Sequence, residues 1–295
     1  MDQGHKKNMN QRIGIIGGSG LYDIEGMDVL DELSMETPWG EPSDALILAR
    51  IGDQEVVFLP RHGRAHQIPP HQINYRANIY AMKLAGVQQI ISISAVGSLR
   101  EGIVPGHFVI VDQFVDRTHG RASTFFEGPV VAHTSLADPV CAALRKHLLT
   151  ACRSADITVH DGGSYLCMQG PQFSTRAESE LYRSWGMDVI GMTNLPEAKL
   201  AREAEICYAT VAMSTDYDCW HTEEDDVSVE GLLEIMHGNG IKAKAMLKAL
   251  FANPAQLHNC DSGCSHALDM AIIGKLSDHD DGAIKPIHAL VERLL

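Results

Sequence analysis

The sequence is short of positive charge: 24 lysines and arginines stand against 38 aspartates and glutamates, a formal net charge of −14 over 295 residues. Duplex DNA and anionic membrane surfaces attract basic proteins, so this balance argues against both as the main partner. A small anionic substrate is still possible, because a local group of hydrogen-bond donors can hold it. We therefore expect a small-molecule substrate, with no nucleic acid and no membrane as partner.

The sequence also has no long apolar run. No stretch approaches the roughly 20 apolar residues that cross a bilayer. Residues 1–12 are polar and have no apolar segment of the kind found in secretory signals. We expect residues 1–12 to form a flexible lead and the protein to be cytoplasmic.

The seven cysteines do not form an obvious disulfide framework. Their number is odd, and several lie in apolar runs, which favours reduced thiols in a cytoplasmic protein. Cys260 and Cys264 are the one close pair. A zinc site needs two more well-spaced ligands, and the sequence does not single out such ligands. The prediction is therefore surface thiols and no metal.

Ordinary globular composition, 45% hydrophobic and 21% charged, is combined with short apolar runs that alternate with segments of helical spacing. This pattern predicts an α/β fold, a single domain with a central mixed β-sheet flanked by helices. The expected elements include a strand pair at 44–49 and 55–59, one strand at 108–114 and a long helix at 227–250. No linker divides the chain, so we place the domain at residues 13–252 and a C-terminal tail of uncertain role at 253–295.

Ligands of open α/β sheets gather beyond the carboxyl ends of strands, so the residues after apolar runs carry most information. The first such segment is Gly17-Gly18-Ser19-Gly20. A dinucleotide fingerprint would need glycine where Asp23 stands, and the lysine of a nucleotide-binding P-loop is missing. The loop therefore fits either a small anion or a tight turn.

A basic segment follows the next predicted strand, with arginines at 61 and 64 and histidines at 62 and 66. Arg61 can grip a phosphate with two parallel hydrogen bonds, and His62 can add a charged donor. His62 and His66 also have the helical spacing of metal ligands, but Gly63 argues against a helix there. A solvated basic loop is the alternative interpretation of this segment taken alone.

Two carboxylates, Asp216 and Asp218, follow a buried strand directly. One residue separates them, so an extended chain turns both to the same side. Like charges held close together raise the pKa of one carboxyl, which leaves a neutral proton donor beside an ionised acceptor. The alternative is an acidic surface turn.

The order and spacing of these and further segments resemble the trimeric purine nucleoside phosphorylases, and most closely the branch that cleaves 5′-methylthioadenosine. The resemblance covers roughly residues 13–250. The segments that carry it are Gly17-Gly18-Ser19-Gly20, residues 61–66, residues 74–78, Ser94-Ala95-Val96-Gly97-Ser98, residues 170–178, residues 192–197 and residues 216–220.

The resemblance implies that phosphate attacks C1′ of a purine nucleoside, so that 5′-methylthioadenosine gives adenine and 5-methylthioribose 1-phosphate. It implies a homo-oligomer, a trimer, with inorganic phosphate as co-substrate and no cofactor. The implied phosphate ligands are Ser19, Arg61, His62, Ser94, Ala95 and Thr193. The implied nucleoside ligands are Phe173, Ser174, Met192, Asp216 and Asp218, the last two also catalytic. The implied pocket for the 5′-substituent consists of His66, Val229, Leu232 and Leu233, with His133 from the neighbouring subunit.

Base selection depends on two positions. The 6-oxopurine branch resembles a pattern with Glu at the position of Ser174 and Asn at that of Asp216. This sequence has Ser and Asp there, which suits an adenine base because its amino group donates and its N7 accepts. Asp216 is the expected general acid towards N7. Asp218 is expected to hold Asp216 in place and to help Asp216 keep its proton. The open alternatives are a 6-oxopurine or 5′-methylthioinosine phosphorylase, and a non-catalytic nucleoside or phosphate sensor on the same scaffold.

Overall fold

A computed structural model of the chain describes residues 11–18, 21, 24–221, 229–252, 257 and 260–295, with side chains between 229 and 252 described from 233 onward. Its strands are β1 (Arg12–Gly17), β2 (Met27–Leu33), β3 (Leu46–Ile51), β4 (Gln54–Pro60), β5 (Val87–Ser98), β6 (Phe108–Ile110), β7 (Gln113–Arg117), β8 (Val131–Ala132), β9 (Val159–Asp161), β10 (Ser164–Met168), β11 (Val189–Gly191), β12 (Cys207–Asp216) and β13 (Ile272–Ile273). Its helices are α1 (Tyr75–Leu84), α2 (Ala142–Ser154), α3 (Arg176–Ser184), α4 (Asn194–Glu203), α5 (Val229–Phe251), α6 (Asp281–Ile284) and α7 (His288–Val291).

Eleven of the strands form one mixed sheet. Its main path runs β2-β3-β4-β1-β5-β11-β10-β7, and β12 branches from β5 towards β6 and β9. β5 is the centre of this arrangement, because it pairs in parallel with β1 and β12 and, through its last residues, antiparallel with β11. The ends of β1, β4, β5 and β12 therefore meet at one edge of the sheet.

Alternation along the strands divides the core between the two faces of the sheet. Ile13 and Ile15 of β1 pack in the layer that holds α2 and α5, whereas Ile16 packs in the layer that holds α1 and α4. Successive side chains of a strand point to opposite faces, so this one strand supplies both layers. The predicted class, an α/β domain with a helix-flanked mixed sheet, is confirmed.

Local sequence signals explain where several helices begin. The side chain of Asn74 accepts a hydrogen bond from Ala77 N–H and caps α1. Thr175 and Glu178 form a reciprocal capping box at the start of α3. Both devices satisfy backbone N–H groups that have no partner within the helix. None of the described helices is long and apolar enough to cross a membrane.

Two expectations about the elements are corrected. The single strand expected at 108–114 is two strands, β6 and β7, which pair with different neighbours, β12 and β10. β5 is also longer than its apolar run, because it continues through the small residues up to Ser98. The expected pair at 44–49 and 55–59 is present as antiparallel β3 and β4.

The C-terminal segment, residues 260–295, packs into the domain. Leu268, Leu290 and Val291 are buried in the same core as α1 and α4. Arg293 forms an ion pair with Glu205 at 2.7 Å, and β13 pairs with β8. This segment therefore contributes core residues, although its sequence did not assign it a role.

Candidate active site

Asp216 and Asp218 lie where β12 ends beside β5. Gly97 of β5 is paired with Asp216, and a Cβ added to Gly97 would lie 3.0 Å from Asp216 Oδ1 and 3.4 Å from Asp218 Cβ. Only a residue without a side chain lets the backbone approach the two carboxyls this closely. The pair predicted from the sequence is therefore held together at the sheet edge.

The two carboxyls differ in their surroundings. Thr215 Oγ1 donates to Asp216 Oδ2 at 2.7 Å, and the Asp218 backbone N–H donates to Asp216 Oδ1 at 2.8 Å. Asp218 has the left-handed φ of 51° that non-glycine residues rarely adopt, and its Oδ2 is buried without a hydrogen-bond partner among the described residues. Burial raises the pKa of Asp218, and the nearby Asp216 charge adds to this.

This contrast bears on the roles expected of the two residues. Asp216 has both carboxylate oxygens occupied by donors, whereas Asp218 has a raised pKa and an unpaired oxygen. Two interacting carboxyls titrate as a pair. The structure therefore favours Asp218 as a carboxyl that keeps its proton.

A second group of polar atoms lies around Ser94, which precedes Gly97 by three residues on β5. The hydroxyls of Ser94 and Thr193 are 3.4 Å apart, and Ser94 Oγ is also 3.4 Å from Tyr165 Oη. Both hydroxyl residues are buried, while the adjacent Ala95 is exposed. Hydroxyls and an accessible backbone are the groups that hold a phosphate oxyanion.

Arg61 differs from the expectation of a free phosphate donor. Its side chain is buried and forms a two-pronged ion pair with Glu197, at 2.8 Å from Nε and 3.0 Å from one terminal nitrogen. Further bonds run to Ser92 Oγ at 2.6 Å and to the Ile93 carbonyl at 3.1 Å. Most of its N–H groups are therefore already bonded within the protein, to Glu197 of α4 and to Ser92 and Ile93 in the middle of β5.

Sequence reasoning missed the network around Glu197. Ser92 and Tyr208 donate to Glu197 Oε1, each at 2.8 Å, and Asn194 bonds to Ser92 and Tyr208 at 2.9 and 2.7 Å. The available signal was a glutamate within the apolar pattern of α4, because a buried carboxylate requires a partner. Two members of this network are close in sequence to the hydroxyl pair: Ser92 lies two residues before Ser94, and Asn194 directly follows Thr193.

His62 is a half-buried imidazole rather than a charged donor. Its Nδ1 lies 2.8 Å from the Ile68 carbonyl, and its ring stacks on His66 with centroids 4.6 Å apart. Burial lowers the pKa of His62 to about 4, against the opposing bond to Ile68. A carbonyl only accepts, so Nδ1 carries the proton, and Nε2 of the neutral ring is an acceptor. The expected charged donor is thereby corrected.

The residues expected to hold the nucleoside lie on the carboxyl turn, on the loop that carries Phe173 and Ser174, and at Met192 before α4. Cys219 Sγ donates to the Ser174 carbonyl at 3.4 Å, which ties the Ser174 loop to the Asp218 turn. Met192 packs so closely on Gly170 that an added Cβ there would lie 2.5 Å from its Sδ. Phe173 is 79% exposed in the isolated chain, a position suited to covering a ligand or meeting another subunit.

The remaining predicted residues are not brought into one pocket by the described contacts. Ser19 lies outside the described residues, and so do the side chains of Val229 and Leu232. His66 and His133 are exposed, and Leu233 is 58% exposed. The 5′-substituent pocket therefore stays a prediction.

The cysteine expectation is wrong in one respect. Cys264 is buried, and its Sγ lies with those of Cys141, Cys207 and Cys260 in one cluster, all within 4.8 Å of one another. The cluster could not be recognised in the sequence, because Cys141 and Cys207 lie more than 50 residues before Cys260 and Cys264.

The sequence profile of the phosphorylase superfamily matches residues 12–252. An S-methyl-5′-thioadenosine phosphorylase of Geobacter sulfurreducens is 56% identical over 266 residues, which cover 90% of this chain and 92% of that protein. One of Bradyrhizobium diazoefficiens is 50% identical, with 96% of this chain and 98% of that protein covered.

Solved structures give the same result. A methylthioadenosine phosphorylase from an Antarctic soil metagenomic library superposes with a TM-score of 0.91 at 43% identity, covering 95% of this chain and 99% of that one. The methylthioadenosine phosphorylase of Schistosoma mansoni in complex with adenine has a TM-score of 0.77 at 37% identity, covering 84% and 97%.

Proposed function

The chain belongs to the phosphorylase superfamily, and from this premise we propose that it cleaves 5′-methylthioadenosine with inorganic phosphate, giving adenine and 5-methylthioribose 1-phosphate. The observation that carries the proposal is the position of the carboxyl pair relative to the hydroxyl pair. Gly97, beside the carboxyls, is three residues beyond Ser94, or about 10 Å along a strand. That distance suits a nucleoside with its base at one end and phosphate below its ribose.

The chemistry follows from this placement. A phosphate oxygen forms a bond to C1′ while the bond from C1′ to N9 breaks, and the electron pair of that bond goes to the purine. Positive charge develops on the ribose, so an anion held beneath it stabilises the transition state. Protonation of N7 by Asp218 lets the purine leave as a neutral base, the task of a general acid with a raised pKa.

The same pair supports adenine as the base. Asp216, as a carboxylate, can accept from the 6-amino group, and protonated Asp218 can donate to N7. A 6-oxo group would instead place an oxygen against carboxylate oxygens. The comparisons agree, because the relatives are methylthioadenosine phosphorylases, and they favour neither a 6-oxopurine enzyme nor a sensor.

Further parts of the proposal concern the molecule in the cell. We propose a homotrimer in the cytoplasm that uses phosphate as co-substrate without a cofactor and serves purine and methionine salvage. Exposed apolar residues at the active-site edge and on α5, Phe173, Leu233 and Met236, support an oligomer.

The test is to incubate the protein with 5′-methylthioadenosine, with and without phosphate, and to follow free adenine and the sugar phosphate. Adenine should appear only with phosphate, in equal amounts with the sugar phosphate. 5′-Methylthioinosine in a parallel reaction tests the 6-oxopurine alternative, which would release hypoxanthine faster. Nucleoside binding without phosphate-dependent cleavage would identify a sensor instead.

A further inference from the structure

Four cysteines from distant parts of the chain meet at the start of β12, the end of that strand opposite to Asp216. Cys141 occupies the position before α2, Cys207 is the first residue of β12, and Cys260 and Cys264 belong to the C-terminal segment. All four Sγ atoms lie within 4.8 Å of one another. We propose that this cluster is a structural Zn²⁺ site with four cysteine ligands that fastens the C-terminal segment to the domain.

The distances suit a tetrahedral ion. Zinc–sulfur bonds of about 2.3 Å place tetrahedral sulfurs roughly 3.8 Å apart. Cys141 Sγ and Cys260 Sγ are 3.6 Å apart, and the others lie within 4.8 Å, so small rotations of the side chains close the coordination sphere. Cys260 and Cys264 have three residues between them, a spacing found in structural zinc sites.

The surroundings suit a closed site. Cys141, Cys207 and Cys264 are buried at 5% exposure or less, and Cys260 is partly buried. Four thiolates around Zn²⁺ leave a net charge of −2, which a nearby cation offsets. Arg202 supplies one, since a terminal nitrogen lies 4.0 Å from Cys264 Sγ. With four sulfur ligands no position stays open for substrate, so the site is structural and not catalytic.

The cluster lies where the C-terminal segment begins its path across the domain. Beyond Cys264 the chain buries Leu268 and then pairs β13 with β8. His133, directly after β8, donates its backbone N–H to the Ala271 carbonyl at 2.8 Å. Binding of Zn²⁺ releases the four thiol protons and adds binding free energy to the folded state. We expect the metal to order the C-terminal segment and the β8 loop, by which we mean residues 131–133.

Metal content of the untagged protein, purified with a thiol reductant and no chelator, tests the proposal. Mass spectrometry of the elements should find about one zinc per chain. Cys264→Ser and Cys260→Ser should reduce this at least fivefold. Cys152→Ser is the matched control, because Cys152 is a buried thiol in the same hydrophobic layer but outside the cluster, and it should keep the metal.

Two further measurements use the wild-type protein and therefore do not depend on whether the variants fold. Replacing Zn²⁺ with Co²⁺ in the wild-type protein should give the visible absorption of a tetrahedral thiolate site. Chelation should increase hydrogen exchange in residues 260–295 and β8 but not in β1. A purified protein without metal would overturn the proposal. Its cysteines would then be either free thiols, which react with an alkylating agent, or disulfides, each of which lowers the mass by two hydrogens.

Discussion

Asp218, the proposed general acid, is a buried carboxyl that costs stability when it is ionised. Burial raises its pKa, so the folded state binds a proton more tightly than the unfolded chain. Its contribution to stability is therefore complete below the unfolded pKa and is lost as the pH rises through the folded pKa. Asp218→Asn should reduce kcat/KM for 5′-methylthioadenosine by roughly 10²–10⁴-fold, yet raise the melting temperature at neutral pH.

Denaturation profiles of wild type and Asp218→Asn between pH 4 and 8 measure this, beside steady-state kinetics. Asp216→Asn is the comparison, because its oxygens already accept two hydrogen bonds that an amide cannot both keep. It should lose selectivity for 5′-methylthioadenosine over 5′-methylthioinosine without gaining stability. Equal pH dependence of stability in wild type and Asp218→Asn would show that Asp218 is not the perturbed carboxyl.

Arg61 has to be tested with its partner. Arg61→Ala leaves the buried Glu197 carboxylate without its cation, which should cost about 3–5 kcal/mol in the free energy of unfolding. Because of this, lost activity in Arg61→Ala would not by itself identify a phosphate ligand. The double variant Arg61→Ala/Glu197→Gln should be more stable than Arg61→Ala alone, as measured by urea unfolding. A double variant as unstable as the sum of the single ones would contradict this coupling.

At the scale of elements, the register between β5 and β12 places Asp216 beside Gly97. Gly97→Ala would place a Cβ 3.0 Å from Asp216 Oδ1 and 3.2 Å from Ile190 Cγ2, so the carboxyl must move. A shift of a few tenths of an ångström relieves this contact, so we expect kcat/KM to fall by less than the roughly 10²-fold that a misplacement of 1 Å costs. Gly238→Ala is the control, since an added Cβ there meets nothing within 4 Å in helix α5, and it should keep full activity. Crystals or kinetics that show an unmoved Asp216 and unchanged turnover would refute the close-approach explanation.

The sequence predicted those elements whose signals are local. Short apolar runs with a glycine turn between them were sufficient for β3 and β4. The network around Glu197 and the cluster around Cys141 were not predictable, because each joins residues more than 50 positions apart. Burial also raises the pKa of Asp218, and burial is not visible in the spacing of the two residues.

On the scale of the whole molecule, the C-terminal segment and the proposed trimer both involve the β8 loop. The β8 loop ends at the exposed His133 and is held by the C-terminal segment through Ala271. If His133 completes the site of a neighbouring subunit, the fixed position of this loop affects a site other than its own. Light scattering should then give the mass of three chains of 32.2 kDa.

Mixed trimers can show directly that two chains form each site. His133→Ala should raise the KM for 5′-methylthioadenosine and leave that for phosphate nearly unchanged, while Asp218→Asn removes the proposed acid. When the two are co-expressed in equal amounts, about a quarter of the sites combine an intact His133 of one chain with an intact Asp218 of the next. Activity at low substrate should therefore exceed the mean of the two parents. Asp216→Asn mixed with Asp218→Asn is the control, because both changes lie in the same chain's half of the site, and it should show no gain. A His133 mixture that likewise stays at the parental mean would mean that each chain builds its own site.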